Sequence, residues 1–109
     1  MRYALVVYRD EAAVRGTEAD QLGALKAFAR ELGDRLLGAT RLRPGATATK
    51  VQLREGGLVI ADGPFAETRE QIGGFFIVEC ADLDEAIEAA ALLPMARYGT
   101  IEVRPIWEM

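Results

Sequence analysis

The 109-residue sequence has no histidine, no serine and no asparagine, and a single cysteine, Cys80. Each absence removes chemistry. Without Ser or His there is no Ser-His-Asp triad and no Cys-His pair, and without a Cys/His cluster there is no zinc site or His-ligated haem. One cysteine makes no internal disulfide, which suits a reducing compartment, and the expected location is the cytoplasm. No apolar run approaches the roughly 20 residues that span a bilayer, and Met1-Arg2-Tyr3 passes into a strand-like run with no small-residue cleavage site. Long linkers, low-complexity tracts and solenoid-period repeats are also missing, so residues 1–109 read as one small domain. Any reaction falls to Asp, Glu, Tyr, Arg, Lys, Thr or Cys80, and neither a cofactor nor a metal is expected.

What is present is a globular composition, 50% apolar and 28% charged. A chain this short buries only about two-thirds of its unfolded surface, so a partner subunit would help its stability. The net charge of −4 argues against general affinity for nucleic acid or an anionic membrane. The charge is unevenly spread. Arg35, Arg41, Arg43, Lys50 and Arg54 share a segment with no acid, whereas Glu79, Asp82, Asp84, Glu85 and Glu88 share one with no base. The basic segment is placed to hold a small anion; nucleic-acid binding would rest on it alone and is not expected.

Tyr3–Tyr8 is a β-branched and aromatic run, apolar on both alternating faces, which predicts a buried strand. Thr17, with Asp20 at the capping-box position, predicts the start of a helix carrying Leu22, Leu25, Phe28, Ala29 and Leu32 at helical spacing, with Gly33 as its C-cap. Leu37–Leu42 is a weaker strand pattern, ended by Pro44-Gly45. Val51 and Leu53, then Glu55-Gly56-Gly57, then Leu58-Val59-Ile60 predict a hairpin with one wet face. Gly74–Cys80 is a second strand apolar on both faces, and Asp82 with Glu85 predicts a capped helix with Leu83, Ala86, Ile87 and Ala90 on its stripe, ended by Pro94. Thr100–Ile106 alternates and carries Pro105, which suits a sheet edge.

This order is a split β-α-β, or ferredoxin-like, α+β layout with an added hairpin. Its two central strands would be the two that are apolar on both faces. Two helices cover one face of a four-stranded sheet, so the other apolar face needs a lid. A second copy packed sheet to sheet about a two-fold axis supplies it and encloses a barrel-like cavity. A homodimer is therefore expected, with Trp107 in interface packing.

The string Ala61-Asp62-Gly63-Pro64-Phe65-Ala66-Glu67-Thr68, the Gly73-Gly74-Phe75 run, Asp82-Leu83-Asp84-Glu85-Ala86 and the closing Gly99-Thr100-Ile101-Glu102-Val103-Arg104-Pro105 span nearly the whole chain. Together they resemble the DGPF-domain branch of the YCII-related proteins. The resemblance implies a ferredoxin-like protein that forms a dimeric barrel. It also implies a regulatory or accessory setting with a protein partner, because family members are often encoded near extracytoplasmic-function sigma factors. The YCII-like relatives proposed to be enzymes are credited with a His–Asp pair, and a chain without His does not inherit that chemistry.

Asp62 has two readings. Either its carboxylate caps the following turn while Gly63 takes the restricted geometry before Pro64 and Phe65 anchors the loop in the core, or Asp62 and Glu67 face the cavity as acid–base groups or as oxygen ligands for a divalent cation. Tyr8, at the end of the first strand, is either a core or interface aromatic or a hydroxyl in the cavity. Arg41, Arg43 and Lys50 either form a solvated face or receive a carboxylate or phosphate of a small anionic ligand beside Gly63, Pro64 and Phe65. Arg97 and Arg104 are expected to pair with Glu79 or Glu102, and Cys80 to be a small buried hydrophobe. The expected function is a small-molecule-binding or accessory module. The alternative, by fold analogy, is a cofactor-independent monooxygenase- or isomerase-like enzyme using Asp62, Glu67, Tyr8 or Glu79.

Overall fold

The computed structural model describes residues 1–66 and 68–108. Six strands and two helices follow one another as β1 (Arg2–Arg9), α1 (Glu18–Leu32), β2 (Leu36–Arg41), β3 (Thr49–Arg54), β4 (Gly57–Asp62), β5 (Gln71–Glu79), α2 (Leu83–Ala91) and β6 (Gly99–Pro105). Four of the strands form an antiparallel sheet in the order β2-β5-β1-β6. That is the order of the split β-α-β layout, with the two doubly apolar runs at its centre. Pro105 ends the edge strand β6, where its missing N–H interrupts no ladder between two strands.

Both helices lie on one face. Tyr3, Leu5 and Val7 of β1 and Phe76 and Val78 of β5 point towards them and meet Phe28, Leu32, Ala86, Ala89, Leu93 and Met95 in a continuous core. Cys80 is buried in this core, and burial pushes its thiol pKa up, as expected of a small hydrophobe.

The caps of the two helices differ. Asp82 accepts the Glu85 N–H at 2.9 Å, and Glu85 reaches back to the Ala81 N–H at 3.1 Å, so the acidic start of α2 acts as predicted. Thr17 does not cap α1 with its side chain. Its hydroxyl donates to the Val14 carbonyl and accepts from Gln21 Nε2, so it is already committed when the helix begins. The stripe of α2 is also narrower than its sequence predicts: Ala86, Ala89 and Ala90 are buried, whereas Leu83 and Ile87 are exposed.

Among the described residues no helix or strand is layered over the other face of the sheet. The register pairs Val6 with Phe75 and Glu102, Ala4 with Ile77 and Arg104, and Tyr8 with Ile72 and Thr100. Its centre is therefore apolar and its β6 edge polar, where Arg104 Nε meets Glu102 at 3.0 Å within the same strand.

β3 and β4 pair only with each other, in a separate two-stranded sheet turned by Glu55 (φ 51°) and Gly56 (φ 78°). The predicted hairpin exists, but both of its faces are wet: Val51, Leu53, Leu58, Val59 and Ile60 are all exposed, Leu53 to 72%. It stands away from the core as an arm, because the four-stranded sheet closes without it.

Candidate functional site

Three segments converge at one end of the sheet: the end of β1, the link from β2 into the arm, and the return from the arm into β5. Short hydrogen bonds fix them. Leu42 N–H donates to the Gly73 carbonyl at 2.9 Å, Gly63 N–H to Ala48 at 2.8 Å, and Gly45 N–H to Glu11 Oε1 at 2.8 Å. Gln71 Nε2 donates to the carbonyls of Ala66 at 3.0 Å and Thr68 at 2.8 Å and so holds the return loop. Asp10 bridges the same loops. One oxygen accepts the Ala12 N–H at 3.0 Å and the other meets Arg69 Nε at 3.0 Å. The Arg69 contact first, and the backbone donors after it, hold the Asp10 carboxyl below the usual carboxylate range.

The result is a hollow of about 470 Å3, bordered by Tyr8, Arg43, Pro64, Phe65, Gln71 and Ile72. Asp62 and Gly63 border a more open neighbour that shares Pro64 and Gln71 with it. Four of the sequence candidates, Tyr8, Arg43, Pro64 and Phe65, thus surround one depression, with Asp62 and Gly63 beside it. Arg41 is not among them. It pairs with Gly74 in the sheet register and lines cavities on the helix-covered side. Glu67 lies outside the described residues.

Two expectations about the loop need correction. Phe65 does not anchor it in the core: its side chain is 83% exposed, because the loop lies at the end of the sheet, away from the helix face where the core is. The Asp62 carboxylate accepts no hydrogen bond from the described residues, so the turn reading is not realised among them. The backbone does meet its requirement at Gly63, whose φ of +96° suits a residue without a side chain. Trp107, expected in packing, is 87% exposed in the single chain.

The Tyr8 hydroxyl donates to Glu102 Oε1 at 3.4 Å, a long bond to a carboxylate that also holds Arg104. Together the hollow offers a guanidinium, a phenol and apolar faces from Pro64, Phe65 and Ile72, a set that suits an anion carrying an apolar part. Glu102 pairs with Arg104 as expected, Arg97 pairs with neither Glu79 nor Glu102, and two further residues noted in the sequence have ion-pair partners among the described residues. Glu79 faces the Met1 ammonium at 2.8 Å, and Arg35 pairs with Glu85 at 2.6 Å. Gln71 and the Asp10–Arg69 pair escaped sequence reasoning, because nothing in their spacing shows that three loops meet there. Among the described residues no cluster of three Cys, Asp or Glu side chains is arranged to hold a metal ion, and no helix is long and apolar enough to cross a membrane.

The model of a family described as the YCII-related domain matches residues 1–109. A protein of Rhizobium meliloti (strain 1021), described as uncharacterized, is 36% identical over 115 aligned positions that cover 97% of this chain and 92% of the relative.

Proposed function

The chain belongs to the YCII-related family, and from that membership and its uncovered apolar surface we propose that it acts as a homodimeric module binding a small anionic molecule. The observation that carries the dimer is an excess of surface. The chain exposes 7669 Å2, whereas a folded monomer of 11.9 kDa exposes about 6,000 Å2. The difference, roughly 1,700 Å2, exceeds the ~800 Å2 that each partner buries in a standard interface.

The open sheet face has the anatomy of such an interface, with Ala4, Val6, Phe75 and Ile77 at the centre and Thr100, Glu102 and Arg104 at the rim. A two-fold axis brings this face against its own copy, and the β3–β4 arm reaches across with Val51, Leu53, Leu58 and Ile60. Phe65, exposed in one chain, is then covered. The hollow of Tyr8, Arg43, Pro64 and Phe65 becomes the end of an enclosed space between the sheets, a dimeric α+β barrel, with Arg43 as the group that selects an anion.

Within the family, the Asp62-Gly63-Pro64-Phe65 string supports a place in the DGPF branch, and with it an accessory role in a sigma-factor-linked setting. The lone Cys80 supports a cytoplasmic location.

Sedimentation equilibrium at micromolar concentration tests the dimer. The expected mass is about 24 kDa, twice that of the 11.9 kDa chain, and Phe75→Asp is expected to give a folded monomer. A wild-type chain that stays a folded monomer would overturn the proposal.

A further inference from the structure

On the helix-covered side of the sheet, two adjoining cavities of about 440 and 300 Å3 run between α1 and the edge strand β2, sharing Arg9, Glu18, Gln21, Arg41 and Gly73. The inner one is apolar, walled by Leu25, Leu36 and the edge-to-face pair Phe28–Phe76, whose ring centres are 5.3 Å apart. The outer one is bordered by Arg9, Arg15, Arg41 and Arg43 against Glu11 and Glu18.

Arg9 is the unusual member. It follows Tyr3, Leu5 and Val7 on the helix-facing side of β1, so it puts a charge where a further core residue would stand. Its side chain lies across Gly73, where a Cβ would sit 2.5 Å from Nε. The missing side chain at Gly73 therefore leaves room for Arg9, and that at Gly74, where a Cβ would meet the Thr40 carbonyl oxygen, lets the backbone of β2 approach closely beside Arg41. One Nη of Arg9 donates to Gln21 Oε1 at 3.3 Å, and Gln21 is itself only 6% exposed. Arg9 Nε is shut off from solvent and has no acceptor among the described residues. The ion pairs of the described residues all fall elsewhere, so none of the four arginines at this mouth has a carboxylate of the described residues within 4.0 Å. A half-buried guanidinium without a counter-charge is costly to hold. The fold nevertheless fixes it at the head of an apolar cleft.

We propose that this cleft binds a monocarboxylic acid with an apolar tail. The carboxylate sits between Arg9 and Arg41, and the tail lies over Leu25, Phe28 and Phe76. Planar guanidinium groups suit a carboxylate, and the arginines at the mouth outnumber the glutamates four to two, so an anionic head is attracted there. The inner cavity lies on the opposite side of the sheet from the dimer face, while its mouth shares Arg43 and Ile72 with the hollow beside Phe65, and the site needs no second copy.

Decanoate is the probe, with 1-decanol and acetate as its two halves. In a titration of the isotope-labelled full chain, decanoate is expected to shift the amides of Leu25, Gly73 and Phe76, with affinity at least about tenfold above that of either half. Arg41→Gln, at an exposed residue, is expected to weaken decanoate about tenfold and to leave melting temperature and oligomeric mass unchanged; Arg9→Gln is expected to weaken it further. Equal affinity for decanoate and decanol, undiminished binding by Arg41→Gln, or no shift at these amides overturns the site. None of those results changes the sedimentation mass, so the two proposals fail separately.

Discussion

Glu85 shows how much of this fold depends on single carboxylates. It accepts the Ala81 N–H and pairs with Arg35, and these contacts, the backbone donor first, hold its pKa below the usual carboxylate range. Asp10 is lowered in the same direction by Arg69. A carboxyl whose folded pKa is depressed stabilises the protein fully above its unfolded pKa, and the contribution disappears as pH falls through the folded value. The melting temperature should therefore fall as pH drops below about 4, and Glu85→Gln should flatten that acid limb while lowering the melting temperature at neutral pH. A thermal melt series across this range checks both. Residue-scale roles were unevenly legible. Asp82 and Cys80 behave as their residue types and neighbours suggest, since a cap and a small hydrophobe depend on local sequence. Arg9, Gln21 and Gln71 act through contacts made by topology, and only the Gly73-Gly74 pair left a trace of them in the sequence.

At the scale of elements, alternation and caps located the six strands and two α-helices to within a few residues, because burial on one or two faces leaves a period in the sequence, whereas the short 3-10 turns left none. They did not reveal what each element packs against. The polar set Lys50, Gln52 and Arg54 reads as the wet face of an ordinary hairpin, yet the opposite face is wet too, since β3 and β4 join no larger sheet. The same limit explains Phe65, an aromatic that a loop would normally bury and that here lies outside the core. The free arm has a consequence. Leu53→Lys removes no core contact, so the variant should keep its secondary structure by circular dichroism, while its dimer dissociation constant should rise at least about tenfold in dilution experiments. An unchanged dissociation constant would remove the arm from the interface.

The molecule as a whole is a thin slab, 46 × 40 × 18 Å, with a radius of gyration of 15.7 Å where a compact chain of this length has about 13 Å. The excess follows from a two-layer fold with one bare sheet face and an arm with no layer beneath it. The two doubly apolar strands pointed towards an uncovered apolar face and a partner, and the register adds that this face is polar along β6. The most direct test is an isotope-filtered NOE experiment on labelled and unlabelled chains mixed until their subunits exchange. Contacts between the Phe75 ring of one chain and the Val6 and Ile77 methyls of another are the predicted result. Their absence from a well-folded sample, with every NOE at Phe75 arising within its own chain, would contradict the covered-face account.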